Sequence, residues 1–227
     1  MKIEGSVALV TSTDHAFGAG LAQALLARGA AKVYAATRGA GSAKQPPGAL
    51  PVMLDVTRPA QMSALARELG DVTLLVDSVV HFEGGLSPPA GADDEAGAAQ
   101  PAPAGHCLQL VDAFAPVLAA NGGGAVVNVL SVLSAGAFWH PGDSHGAAQA
   151  AQGLAGDGLR ARLAAQGTEL LFFRAALVVD AGSDDLLQGH WTLADHVARR
   201  VLDALESGDR PAFGRTGSTR RAAASGR

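Results

Sequence analysis

The segment Trp139–Gln152, WHPGDSHGAAQAAQ, gathers side chains that can move protons: His140, Asp143, Ser144 and His145. A histidine oriented by a carboxylate titrates near neutrality, takes a proton as a base and returns it as an acid. His81, in a Gly- and Pro-rich stretch, carries the same chemistry, and Ser131 and Ser134 offer hydroxyls to a carbonyl or developing oxyanion. Phe82, Phe138, Trp139 and Trp191 supply aromatic walls for a hydrophobic carbonyl substrate, such as a polyketide-like intermediate. Two of these residues also have structural readings. Asp143 is a good helix N-cap, and on a helix His145 turns about 100° away from Ser144, toward a subunit interface. The H-x-x-D-x-H spacing matches no established ligand pattern, so no metal is expected. The expected catalytic set is Ser131, His140, His81, Asp143, His145 and Ser144, with Phe82, Ser134, Phe138, Trp139 and Trp191 lining the pocket.

These residues need a scaffold, and the chain spells one. Short apolar runs, VALVTS (Val7–Ser12), KVYAATR (Lys32–Arg38), LPVMLDV (Leu50–Val56), VTLLV (Val72–Val76), AVVNVLSV (Ala125–Val132) and TELLFFRAALVV (Thr168–Val179), read as strands. Between them lie helical segments: Leu21–Ala30, Pro59–Gly70 with proline in its first turn, Cys107–Ala120, Ser144–Gln166 and the amphipathic Leu193–Ser207. Strands alternating with helices predict an α/β fold with a parallel sheet covered on both faces. Residues 1–208 are expected to form one domain and 209–227 a loose basic tail, in which Arg210–Arg227 holds five arginines and no acid. The uncharged stretch from Ala113 to Trp139 is broken by Pro116 and Asn121–Gly124, which favours a core helix, a turn and a strand over a membrane span. A net charge of -4 argues against nucleic acid as the main partner. One cysteine, Cys107, and an apolar N-terminal run too short for a signal peptide fit a cytoplasmic protein.

The order of elements resembles the short-chain dehydrogenase/reductase family, on stretches such as GSVALVTS, FGAGLAQALLARGAAKVYAATR, PVMLDVT, DVTLLV and VVNVLSVLS, from Gly5 to Ser207. The resemblance implies a Rossmann-type doubly wound sheet with a nicotinamide cofactor at the carboxyl ends of its strands. It also implies a homodimer or homotetramer built on the helices Cys107–Ala120 and Ser144–Gln166. Measured against the family pattern, the motifs are eroded. The glycine-rich TGxxxGxG turn becomes TSTDHAFG (Thr11–Gly18), with Ser12 and Ala16 for two glycines and Asp14 near the phosphates; only Gly18 survives. NNAG becomes DSVV (Asp77–Val80), the helix asparagine aligns with Pro103, and the PG after strand six becomes Ala175–Ala176. Arg38 remains where the family holds the 2′-phosphate of NADP, and Asp55 where it holds the adenine edge.

The YxxxK pair is missing. Ser131 matches the family's serine, but Ser144 and Ala148 stand in the tyrosine and lysine positions. The only tyrosine is Tyr34 and the only lysines are Lys2, Lys32 and Lys44, so no change of register restores the pair. A serine hydroxyl cannot replace a phenol of pKa ~10 as the proton donor. The expectation is therefore an enzyme that uses no cofactor. It would catalyse acid/base dehydration, conjugate addition, cyclisation or isomerisation of a hydrophobic carbonyl compound. One alternative is a non-catalytic binding or subunit-stabilising protein. The other is an atypical NADP-dependent reductase that holds the nucleotide through Arg38 and Asp55 and takes its proton from a histidine.

Overall fold

The computed structural model describes residues 1–39, 46–78, 106–131, 158–175, 178–179 and 192–208. The apolar runs form β1 (Val7–Val10), β2 (Lys32–Thr37), β3 (Leu50–Met53), β4 (Leu74–Asp77), β5 (Gly124–Ser131) and β6 (Thr168–Ala175). These pair in parallel as one sheet in the order β3-β2-β1-β4-β5-β6. A short pair, β7 (Val178–Val179) and β8 (Thr192–Leu193), lies apart from it. The helices are α1 (Ala16–Ala27), α2 (Pro59–Glu68), α3 (His106–Ala120), α4, described over 158–164, and α5 (Ala194–Ser207).

Alternation along the strands divides the core between two faces. Ala8 and Val10 of β1, Val76 and Val127 meet Phe17, Leu21 and Leu25 of α1 and Val197, Val201 and Leu202 of α5. Leu9, Leu75 and Val126 point the other way, onto Met62 and Leu65 of α2, Leu110, Phe114 and Leu118 of α3, and Leu159 and Leu163 of α4. A doubly wound α/β sheet with helices on both faces is the fold read from the sequence. Gly124 lets β5 enter beside β4: a Cβ there would overlap the Thr73 carbonyl oxygen.

Several boundaries differ from the sequence reading. α1 begins at Ala16 rather than Leu21, because buried Phe17 and Gly18 already belong to its first turn. β3 stops at Met53 because Asp55 turns the chain toward α2, its Oδ1 accepting from Thr57 N–H (2.9 Å) and Thr57 Oγ1–H (2.6 Å). The Ala113–Trp139 stretch resolves, as far as it is described, into the end of α3, a turn at Asn121–Gly123 and β5. Among the described residues, no helix is long and apolar enough to cross a membrane.

Candidate functional site

In a parallel sheet all carboxyl ends lie on one edge, and a cleft opens where the strand order reverses. Here that point lies between β1 and β4. The turn leaving β1 is shaped by two residues. Ser12 adopts φ 53°, the left-handed conformation that favours glycine. Gly18 has no space for a side chain: a Cβ would overlap the Ser12 carbonyl oxygen and lie 3.0 Å from Ser78 Oγ. The turn thus keeps a glycine-dependent shape although its sequence has lost two glycines. Thr13 anchors it to β2 by donating N–H (3.0 Å) and Oγ1–H (3.1 Å) to the Ala36 carbonyl. α1 then starts at His15 with no side-chain cap and no acid in its first turn. Its leading N–H groups form the kind of end that accepts a phosphate. Asp14 precedes the cap, half-buried, and lies outside that first turn.

Beneath the turn is a buried polar cluster. Asp77 ends β4 at 2% exposure, with Asn128 of β5 at 2% and His106, the first residue of α3, at 5%. Asp77 Oδ1 accepts from Thr11 Oγ1 at 3.0 Å. Its Oδ2 accepts from Asn128 Nδ2 at 2.9 Å and faces His106 Nε2 at 3.1 Å. Ser78 N–H donates to Thr11 Oγ1 (2.9 Å), and Ser78 Oγ–H donates to the Thr11 carbonyl. Burial, then the Asp77 charge and a hydrogen bond to it, push the neighbouring Cys107 thiol well above its ordinary pKa. It is a thiol and not a nucleophilic thiolate.

Two residues singled out in the sequence sit on the same edge. Arg38, just past β2, is exposed and makes no ion pair among the described residues. Asp55, just past β3, carries a lowered pKa: partial burial acts to raise it, but the Thr57 hydrogen bonds and the Arg38 and Arg58 charges prevail. Arg38 is thus electrostatically coupled to Asp55. Together with Gly18, they are the three vestigial cofactor positions of the sequence reading, and all three lie among the described residues. Ser131 ends β5 at the carboxyl edge, in register with Ala175 of β6. His81, His140, Asp143, Ser144 and His145 lie outside the described residues, as do Phe82, Ser134, Phe138, Trp139 and Trp191.

Tyr34 is at the opposite end of the sheet. Its hydroxyl lies 3.0 Å from Asp71 Oδ1, and Lys32 Nζ donates to Asp71 Oδ2 at 2.5 Å. The chain's single tyrosine is thus committed to a surface cluster at the amino ends of the strands. The sequence reading missed Asp77 and His106 as site residues. It took DSVV only as a lost motif, and His106 is separated from Asp77 by 29 positions. The available signal was an aspartate closing a fully buried strand, which requires a buried partner.

The strand order, the glycine-dependent turn and its position at the reversal define a doubly wound α/β protein of the Rossmann class. No protein-family model and no curated protein matches the sequence. Among solved structures the chain is similar to a short-chain dehydrogenase from Burkholderia cenocepacia J2315 in complex with NADP. The two share 32% identity and a TM-score of 0.74, covering 92% of this chain and 88% of that one. A short-chain dehydrogenase/reductase from Burkholderia xenovorans matches at TM-score 0.71 and 21% identity, covering 88% of this chain and 89% of that one. A short-chain dehydrogenase from Streptomyces avermitilis matches at TM-score 0.67 and 19% identity, over 93% and 87% of the two chains. These last two show the fold alone. The chain belongs to the short-chain dehydrogenase/reductase family. The expectation that it uses no cofactor is overturned, because the 32%-identical relative was solved in complex with NADP. That expectation weighed the missing glycines as letters, whereas the backbone keeps the turn's shape through Ser12 and Gly18.

Proposed function

We propose that the chain is an NADP-dependent oxidoreductase acting on a hydrophobic carbonyl compound or the corresponding alcohol. One observation carries the reading: Arg38 stands exposed and without an ion pair among the described residues, on the edge that holds Asp55 and the Gly18 turn. A guanidinium there suits a phosphomonoester, which it binds through paired N–H donors. The open start of α1 would take the diphosphate, and Asp55 would meet the adenine edge. When bound, the nicotinamide would exchange a hydride with the substrate carbon.

The protein must supply or remove the matching proton at the substrate oxygen. Tyr34 and Lys32 cannot do so from the far end of the sheet. We assign that task to His81 and His140, with Ser131 as hydrogen-bond donor to the oxygen and Asp143 orienting His140. In this reading Ser144 and His145 would belong to the same site, and Phe82, Ser134, Phe138, Trp139 and Trp191 would wall it.

Calorimetric titration of the nucleotide-free protein with NADPH and NADH tests the reading. NADPH should bind at least tenfold more tightly, a difference of about 1.4 kcal/mol, and Arg38→Ala should erase the preference. Absence of NADPH binding up to about 1 mM would sink the proposal. Tight binding with no hydride transfer to any carbonyl panel would favour the subunit-stabilising alternative. Once turnover is found, His81→Ala and His140→Ala should each lower kcat by about a hundredfold or more. Full activity in both would remove them from the site.

A further inference from the structure

The connection between β4 and α3 leaves at Ser78 and returns at His106, and both of its ends are fastened to one buried cluster. Asp77 is the hub. One carboxylate oxygen holds Thr11 at the start of the phosphate turn; the other holds His106 at the start of α3 and Asn128 in β5. Thr11 passes the constraint on, since its hydroxyl accepts the Ser78 N–H and its carbonyl accepts the Ser78 hydroxyl. Ser78 Oγ in turn sits against Gly18, and Gly18 lies against the Ser12 carbonyl. An unbroken run of contacts therefore joins α3 to the backbone of the turn.

Chemistry sets the direction of dependence. A carboxylate at 2% exposure must be held by donors or by a positive charge. Thr11 and Asn128 are neutral donors, and His106 is a neighbour able to carry a compensating charge. Asn128 Oδ1 has no hydrogen-bond partner among the described residues. Rotating the Asn128 amide would place that oxygen against the Asp77 carboxylate, so the amide is locked in its orientation by Asp77.

We propose that His106 and Asp77 are positioning residues for the nucleotide site: the pair holds Thr11, and through it the Ser12–Gly18 turn, in the geometry that admits the diphosphate. This rests on the NADP reading above but is testable apart from it. The first readout needs no nucleotide: amide hydrogen exchange at residues 11–18 and at Ser78. In His106→Gln, exchange there should rise at least tenfold, while β6 amides stay unchanged. Asp77→Asn removes the charge that requires a partner, so the increase in Asp77→Asn/His106→Gln should be less than the sum of the two single variants. The second readout is NADPH affinity. His106→Gln should weaken it at least tenfold, and the loss in the double variant should be less than the sum of the two single variants. Leu110→Val, a core change on α3 chosen to match the loss of thermal stability, should leave affinity alone. Should His106→Gln fail to fold, Thr11→Val, which removes only the hydroxyl that Asp77 and Ser78 hold, gives the answer: exchange at residues 12–18 should rise and NADPH affinity should fall at least tenfold. Unchanged exchange at 11–18 in His106→Gln, or an equal loss of affinity in Leu110→Val, would overturn the proposal. If wild type does not bind NADPH while the exchange pattern follows the prediction, the NADP reading fails and the coupling stands.

Discussion

At the residue scale, the chemistry hangs on positions whose meaning depends on backbone geometry. Gly18 shows this most directly. An added methyl would collide with the Ser12 carbonyl oxygen, and backbone cannot move aside as a flexible side chain would. Gly18→Ala should cost about 1–3 kcal/mol of stability by overpacking and weaken NADPH binding at least tenfold; urea unfolding and calorimetry would measure the two effects. Retained affinity would mean that the turn does not hold the diphosphate. Cys107 offers a second check. Burial and the adjacent Asp77 raise its pKa, so the native thiol should resist iodoacetamide at neutral pH and react upon unfolding. Because the folded pKa lies above the unfolded value of about 8.5, this group's contribution is intact below that pH. It is lost as the pH rises from there through the folded pKa. Cys107→Ala should flatten that alkaline limb. The placement of Arg38, Asp55 and Gly18 on the carboxyl edge was legible in the sequence because they stand at fixed distances from strand ends. Asp77 and His106 were not, because only folding brings the two ends of a long connection together.

At the element scale, most of the architecture was written in periodicity, and the misread boundaries have local causes. The central strands are continuous apolar runs because helices cover both faces, so their class could be read without knowing their partners. α1 hid its first turn because its N-cap is His15, whose side chain makes no capping bond, so the usual Ser, Thr, Asp or Asn signal is absent. α2 showed its start because Pro59 occupies the first turn, and Asp55 with Thr57 ended β3 early for the same local reason. The register of the sheet depends on a feature that periodicity does not reveal. Gly124 opens β5 against the Thr73 carbonyl, and Ala125 N–H then donates to that same carbonyl at 3.1 Å. Gly124→Ala must spread β4 from β5 or shift that bond, at a cost of about 1–3 kcal/mol. A lower urea midpoint with an unchanged m-value is the expected result.

At the scale of the molecule, the two ends of the sheet carry different burdens. The carboxyl edge holds the glycine-dependent turn, the buried Asp77–His106 pair and the exposed Arg38. The amino edge is fastened: Asp71 binds Lys32 and Tyr34, the Met1 amino group meets Glu169 at 3.2 Å and the Leu205 carbonyl at 3.0 Å, and Gly124 packs under Thr73. The chain's one tyrosine, Tyr34, serves this fastening. The division makes a separable prediction. Partial burial acts to raise the Asp71 pKa, but hydrogen bonds from Lys32 and Tyr34 outweigh it, and the folded value falls below the ordinary one. A depressed carboxylate contributes stability that is present above the unfolded pKa of about 3.9 and is lost as the pH falls through the folded pKa. Both partners are partly exposed, so solvent screening limits the contribution to about 1 kcal/mol or less. Asp71→Asn should therefore remove a modest part of the acid-side loss of stability while leaving NADPH affinity unchanged. Arg38→Ala should chiefly lower affinity, moving the acid limb only slightly through the lost charge beside Asp55. The two changes share no partner and lie at opposite ends of the sheet, so the double variant should show the sum of both effects. Urea titrations between neutral and acid pH, paired with calorimetry on the same samples, would check this. A fall in NADPH affinity in Asp71→Asn would show that the amino edge is not independent of the site.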